Sequence, residues 1–300
     1  RSSHALPTPT GGGIVPVIVI CVAWSTLIFY PDINFNPDSL FFILLPALFL
    51  ALVSWIDDLK SLSPLIRLVT HFLAVSIGIL SLPGLVFQGY LPVWADIIVT
   101  SIIWIWFINL FNFMDGIDGI ACSEIAAIGF GIAIVSMLSF NDEIYFLLGL
   151  IVSSAALGFI LWNWAPAKIF LGDAGAIPLA FLVGWLLLVL CSLGQWASAI
   201  ILPLAFFADA TITLFYRVLN FESPLEPHRS HFYQKAAINL GNHKMITLTF
   251  CFTNLCLIII AIYTVIYPEF TIKCLFLAFG LVGLLLFSLH RIAMLKKPLQ

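Results

Sequence analysis

The chain has 300 residues, of which 62% are hydrophobic and 9% are Asp, Glu, Lys or Arg, against the roughly 25% charged content of a typical soluble domain. So few charges cannot clothe a soluble fold of this length. The net charge of −3, with basic residues that never cluster among aromatics, excludes a nucleic-acid-binding face.

The opening RSSHALPTPTGGG is too polar for a signal-peptide core, and it starts on Arg1 rather than Met, so a further span is expected upstream. Apolar stretches then recur at 14–30, 40–56, 65–82, 93–113, 120–139, 144–162, 176–193, 197–216, 246–267 and 270–289. Most approach the ~20 residues a helix needs to cross ~30 Å of hydrocarbon. The expected fold is all-α: a polytopic transmembrane bundle of about ten spans, eleven in the intact protein, forming one membrane-embedded domain over 1–300. Asn141 to Glu143 reads as a tight outer turn. The cysteines Cys21, Cys122, Cys191, Cys251, Cys256 and Cys274 show no metal spacing and read as small embedded hydrophobes.

Alternating the spans puts 1–13, 57–64, 114–119, 163–175, 218–245 and 290–300 on one side of the bilayer, and 31–39, 83–92, 140–143, 194–196 and 268–269 on the other. Arg1, Lys60, Arg67, Lys168, Arg217, Arg229, Lys235, Lys244, Arg291, Lys296 and Lys297 fall on or near the first side, and Lys273 falls near the second. Such a bias makes the first side cytoplasmic. Asp32, Asp38, Asp96, Asp142, Glu143 and Glu269 on the opposite side form no pattern and read as solvated loop acids.

The basic side also gathers polar residues at the span ends. Asp57 and Asp58 close the second span; Asn109, Asn112, Asp115 and Asp118 surround NLFNFMDGIDG; Asn163, Lys168 and Asp173 lie in WNWAPAKIFLGDAG; His228, Arg229 and His231 lie in PLEPHRSHFYQKA. Five carboxylates converging with amides, imidazoles and cations suit a polyanionic substrate and a divalent ion. Each piece has a plainer reading. The Asp pair caps a helix at the water surface, DGIDG is an ordinary loop, Asp173 is an N-cap, and PTPTGGG is a flexible connector. GDAG before an apolar run also suits an anion on a helix N-terminus. His228 and His231 lack a third ligand for zinc and pair more naturally with phosphate, to which Arg229 adds planar donors. Asp209, inside the eighth span, is either a functional group or a helix-packing node.

Taken in order, RSSHALPTPTGGG, WIDDLKSLSP, NLFNFMDGIDG, NWAPAKIFLGDAG and EPHRSHFYQKA resemble the signature loops of the polyprenyl-phosphate N-acetylhexosamine-1-phosphate transferases. The resemblance covers essentially the whole chain. It implies transfer of a sugar 1-phosphate from a UDP-N-acetylhexosamine to undecaprenyl phosphate, with UMP released at the cytoplasmic face of a bacterial inner membrane. It implies magnesium as cofactor, with manganese as a substitute, held chiefly by Asp173. It further implies that Asp57 orients or deprotonates the lipid phosphate with Asp58 beside it, and that Asp115, Asp118, Asn163 and Phe170 lie near the uridine or diphosphate. His228, Arg229 and His231 would gather round phosphate and sugar, and Lys60 and Asn112 belong to the same motifs. HRSHFYQ lacks the triple histidine of the muramyl-pentapeptide enzymes and most resembles the O-antigen branch, whose donors are often 6-deoxy sugars of the FucNAc or QuiNAc type. Ala176 stands where serine is common, which removes a hydroxyl but leaves a backbone amide able to bind. A second copy of the chain is an open option as partner. The alternatives are a GlcNAc-1-phosphate transferase of the same family and, from another class, an ion-coupled transporter, which would want its polar groups near the bilayer midplane rather than at span ends.

Overall fold

The computed structural model describes residues 8–29, 37–140, 143–222 and 228–295. The RSSHALP opening, Asp32, Asn141, Asp142, the segment 223–227, Lys296 and Lys297 lie outside them. The described residues form twelve α-helices and no strand: α1 (Ile14–Thr26), α2 (Pro37–Lys60), α3 (Pro64–Gly78), α4 (Val93–Met114), α5 (Ile120–Phe140), α6 (Glu143–Asn163), α7 (Asp173–Ser192), α8 (Trp196–Ile201), α9 (Leu204–Leu219), α10 (Phe232–Leu240), α11 (His243–Ile266) and α12 (Thr271–Met294). Eight of these, α2 to α7 with α11 and α12, are long and apolar enough to cross a membrane, and α1 is shorter. The chain is a multi-pass, all-helical membrane protein.

Over the described residues, each apolar stretch read from the sequence forms helix, with one interruption and one addition. The stretch 197–216 breaks between α8 and α9 at Leu202 and Pro203, where proline has no N–H to continue the ladder. The addition is α10, inside the long polar excursion. It buries Tyr233, Ala236 and Ala237 and ends at Gly241 in the left-handed region, φ 64°. Elsewhere the ends follow ordinary rules. Ser63 caps α3 through the N–H of Ile66 at 3.4 Å with Pro64 in the first turn, and Asn242 caps α11 through Met245 at 3.0 Å.

Without a hydrophobic difference between helix and lipid, packing depends on close approach. α7 is the axle, with 94% of its apolar window buried, and it packs against α1, α2, α4, α5, α6 and α8. Trp104 of α4 stacks on Phe181 of α7 at 4.7 Å and donates its indole N–H to the Phe181 carbonyl at 3.1 Å, so the ring is buried with its polar atom satisfied. Gly184 makes room for it, since a Cβ there would lie 2.8 Å from the indole. Gly129 of α5 and Gly149 of α6 meet backbone to backbone.

Asp96 departs from the solvated reading. It is 2% exposed and accepts N–H bonds from Val86 at 3.2 Å and Phe87 at 2.8 Å, with the Thr100 hydroxyl at 3.3 Å. The loop folds back over the start of α4, and the carboxylate satisfies amides that would otherwise be buried unpaired. Asp38, Glu143 and Glu269 are exposed, as expected.

Candidate functional site

The segment before α1 and the segment before α7 lie side by side. Phe170 donates its N–H to Pro9 O at 2.8 Å, Gly12 to Phe170 O at 3.1 Å and Gly13 to Leu171 O at 2.9 Å. PTPTGGG is therefore pinned over its described residues rather than a loose connector, and its glycines permit the contact: a Cβ at Gly13 would collide with Gly175. Gly172 turns the chain into α7 at φ +72°, its Cα beside Asp58. A Cβ there would sit 2.7 Å from Asp58 Oδ2 and 2.8 Å from Gly11 N and Thr10 Oγ1. Gly172→Ala is expected to cost about 1–3 kcal/mol, measurable as a lower Tm, and to lower whatever activity the site carries.

Asp58 crosses from α2 to the N-terminus of α7, accepting from the N–H of Asp173 at 3.3 Å and of Ala174 at 3.2 Å. The next two amides, of Gly175 and Ala176, bond to Gly172 O at 3.1 and 2.9 Å. Asp58 satisfies the first two amides of the helix, and from Gly175 onward the N–H groups bond within the helix itself. The expected anion-binding backbone at GDAG is thus already filled by the protein's own carboxylate. The Ala176 amide is likewise taken, and its side chain is fully buried.

Asp57, 5% exposed, accepts from the N–H of Leu62 and pairs with Arg67 Nε at 2.9 Å. Arg67 also reaches Asp173, Nη1 to Oδ2 at 3.8 Å. The guanidinium therefore stands between two of the acidic residues. Asp115 ends α4, its N–H on Asn112 O at 3.3 Å. Burial, then the carboxylates of Asp173, Asp58 and Asp118, push its carboxyl up to about 7. Asp118 is 3% exposed. It accepts from Ala167 N–H at 3.0 Å and lies 3.5 Å from His243 Nδ1, while its carbonyl takes the Thr247 hydroxyl at 2.9 Å. Asn163 clamps the same loops, accepting from Gly119 N–H at 3.0 Å and donating to Ile169 O at 3.0 Å.

The histidine segment is fastened by α9 from both sides. Asp209, fully buried, accepts from Phe232 N–H at 3.1 Å and Tyr233 N–H at 3.0 Å, and lies 3.4 Å from His231 Nδ1 and from the Thr213 hydroxyl. It caps α10, so this buried acid of α9 is the anchor of the HRSH loop. Arg217 reaches the Ser230 hydroxyl at 3.4 Å, and Ser230 Oγ lies 2.7 Å from His228 Nδ1. The His228 and His231 rings are 4.9 Å apart, both against Phe113, and Tyr233 donates its hydroxyl proton to Phe113 O at 2.9 Å. This joins the histidines to the segment that carries Asp115.

Burial, then His231, Arg217 and Lys235, lower His228 to about 4, so it is a neutral imidazole at pH 7 rather than part of a positive field. Between pH 4 and about 6.5 the unfolded chain binds more protons at this residue than the native one does. Stability is therefore expected to fall as pH drops from 7 towards 4, and His228→Asn should flatten that slope in thermal unfolding at pH 5 and pH 7.

The structure brings Asp57, Asp58, Asp115, Asp118 and Asp173 together at one end of the bundle, with His228 and His231 adjoining. Asn112 and Phe170 are half-buried beside them, while Lys60, Lys168 and Arg229 are exposed at the rim. Among the described residues no group of three His, Cys, Asp or Glu is arranged to hold a metal. Magnesium, however, is commonly bound by one or two carboxylates plus substrate phosphates, and Asp173 with Asp115 is a hard-oxygen donor set of that kind. Arg67, the capping work of Asp58 and the buried pair Glu124 Oε2 to Asn254 Nδ2 at 2.6 Å escaped the sequence reading. Arg67 lies ten residues past Asp57, and only the fold shows that it faces back.

Acids, a guanidinium and imidazoles are thus gathered at one end of an all-helical, multi-pass membrane bundle. The comparisons place it more closely. Residues 40–191, just over half of the 300, match the family model described as glycosyl transferase family 4, and the chain belongs to that family. It is similar to a "Probable undecaprenyl-phosphate N-acetylglucosaminyl 1-phosphate transferase" of Bacillus subtilis, 30% identical over 154 residues, 48% of this chain and 42% of that protein. It is also similar to proteins named "Phospho-N-acetylmuramoyl-pentapeptide-transferase". That of Caldicellulosiruptor bescii is 33% identical over 193 residues, 57% of each chain. That of Oceanobacillus iheyensis is 25% identical over 238 residues, 72% of this chain and 70% of the other. The chain thus spans about half the length of the first two, 42% and 57%.

Proposed function

We propose that this chain transfers a sugar 1-phosphate from a UDP-N-acetylhexosamine to undecaprenyl phosphate. An oxygen of the lipid phosphate attacks the β-phosphorus of the donor, the bond from that phosphorus to the bridging oxygen breaks, and UMP leaves with the electron pair. The product is a lipid diphosphate carrying the sugar. The observation that carries this reading is the acidic centre of Asp57, Asp58, Asp115 and Asp173, with Arg67 between Asp57 and Asp173, at the end of a membrane-spanning bundle where lipid and soluble nucleotide can meet.

Arg67 and Arg229 attract the phosphates. Asp57, already held by Arg67 and the Leu62 N–H, orients the lipid phosphate through that guanidinium instead of acting as a strong base. None is needed, because a phosphate monoester with a second pKa of about 6 is largely ionised at neutral pH. Magnesium, or manganese in its place, held by Asp173 with Asp115, would screen the diphosphate and stabilise charge on the leaving group. Neutral His228 is suited to hydrogen-bond phosphate or sugar oxygens, with His231 behind it. Asn163 and Asp118 act by positioning the loops that carry Phe170 and Asp115. The basic side is the cytoplasmic face of a bacterial inner membrane, and the HRSHFYQ loop favours a 6-deoxy donor of the FucNAc or QuiNAc type used to start O-antigen synthesis.

The test is to incubate the purified chain in detergent with undecaprenyl phosphate and UDP-GlcNAc, UDP-FucNAc or UDP-QuiNAc, with and without magnesium, and to follow UMP. Magnesium-dependent UMP release is expected, fastest with a 6-deoxy donor. Release with UDP-GlcNAc alone would overturn the donor assignment, and no release with any donor would overturn the activity.

A further inference from the structure

Below the candidate site, α5 and α11 share a polar seam. His243, Thr247, Cys251 and Asn254 lie four, four and three residues apart, on one face of α11. His243 Nδ1 stands 3.5 Å from Asp118 Oδ1, and the Thr247 hydroxyl donates to Asp118 O at 2.9 Å. Cys251 bonds with Ser123, and Asn254 Nδ2 donates to Glu124 Oε2 at 2.6 Å. Thr247 and Asn254 are seven residues apart, so the last rung lies about 10 Å further along α11 than the rung on Asp118.

That deepest rung is incomplete if Glu124 is ionised. Glu124 is fully buried and Asn254 is 1% exposed. Glu124 Oε1 and Asn254 Oδ1 are both buried without a donor, and among the described residues no Lys, Arg or His pairs with Glu124. A carboxylate here would set a negative charge and a bare amide oxygen between two membrane-spanning helices, where an acid takes up a proton instead. Two open oxygens are also too few to replace the hydration shell of a cation, which wants about six. A protonated carboxyl carries one O–H donor, and one donor is what the amide oxygen lacks.

We infer that Glu124 is held as the neutral acid, donating to Asn254 Oδ1 while accepting from Asn254 Nδ2, and that this clasp sets the register of α11 from which His243 and Thr247 hold Asp118. Glu124 is then a positioning residue. It acts through Asp118, whose carboxylate accepts from the Ala167 N–H at 3.0 Å in the loop that carries Phe170. Its effect on turnover rests on the transferase reading above, in which that loop meets the UDP-sugar, whereas the proton on Glu124 does not. A seam that slips weakens binding of the UDP-sugar and spares the lipid acceptor.

Infrared difference spectra of the full chain in detergent at pH 7 read the proton directly. The unchanged protein minus Glu124→Gln is expected to show the C=O stretch of a protonated carboxylic acid, and carboxylate bands in its place overturn the neutral acid. Glu124→Gln keeps one donor and one acceptor, so its Tm should hold and its KM for the UDP-sugar should stay within about twofold. Glu124→Leu orphans the Asn254 amide; it should lower Tm and raise the UDP-sugar KM about tenfold, with the KM for undecaprenyl phosphate unchanged. Glu124→Leu combined with Asn254→Leu removes both partners, so Tm should recover while the UDP-sugar KM stays raised. Recovery of that KM together with Tm, or a KM unchanged in every variant, makes the pair structural only and overturns the positioning role. A Gln variant as impaired as the Leu variant overturns the neutral clasp. If the unchanged protein releases no UMP, the transferase reading has failed, and hydrogen exchange over 117–123 decides the positioning role in its place. Faster exchange in the double variant than in the unchanged protein and Glu124→Gln supports the clasp, and equal exchange in all three overturns it.

Discussion

Asp173→Asn is expected to lower UMP release by roughly 10²–10³-fold or more, the scale of losing one contact to a charge that develops in the transition state. It should leave Tm nearly unchanged. The reason is a division of labour at the start of α7. The helix is capped by Asp58, which binds the main-chain N–H of Asp173, so altering the Asp173 side chain does not disturb that contact. The substitution gives up the 3.8 Å ion pair with Arg67, whose shorter contact to Asp57 at 2.9 Å remains. A long, partly exposed pair of that kind contributes about 0–1 kcal/mol. Turnover and thermal unfolding measured on the same preparation check both halves. Substantial retained turnover would remove Asp173 from its proposed metal-holding role.

Asp209→Ala is expected to do the opposite, damaging the structure first and activity as a consequence. The carboxylate is fully buried and receives the N–H groups of Phe232 and Tyr233 and the Thr213 hydroxyl, with His231 at 3.4 Å. Without it the buried donors are orphaned, each at a cost of about 1–3 kcal/mol, with about 3–5 kcal/mol typical of breaking a buried charged network. α10 should loosen and take the HRSH loop with it. Hydrogen exchange across 228–240 reads this directly, and the expected result is lost protection there with the amides of α7 unchanged. Asp209→Asn, which keeps one acceptor oxygen, should be intermediate. Unchanged protection in Asp209→Ala would mean that α10 is held by its contacts with α12 instead.

The spans were legible because bilayer-crossing helices announce themselves by apolar length alone. What the sequence concealed depends on partners distant along the chain. Asp57 and Asp58 look equivalent in WIDDLK, yet one binds Arg67 and the other reaches the start of α7, 115 residues away. GDAG reads as an open anion site because nothing local shows that Asp58 fills it. Asp96 reads as a loop acid because the amides it accepts belong to a loop that only the fold turns back. Glu124 hid in an apolar run, and its partner Asn254 lies on α11, 130 residues away. α10 was within reach: FYQKAAINLGN carries helical apolar spacing and a terminal glycine, but a search for spans passes over a nine-residue helix. Pro203 similarly marked the break between α8 and α9.

In the proposed reaction phosphorus, not the sugar carbon, is the reacting centre. This is tested most directly by supplying a UDP-N-acetylhexosamine radiolabelled in its β-phosphate, together with undecaprenyl phosphate and magnesium, and separating lipid from water-soluble products. The label is expected in the lipid fraction, as a diphosphate-linked sugar, with unlabelled UMP in water. Label remaining in water as UDP while the sugar enters the lipid would contradict it, because the sugar would then have moved without its phosphate.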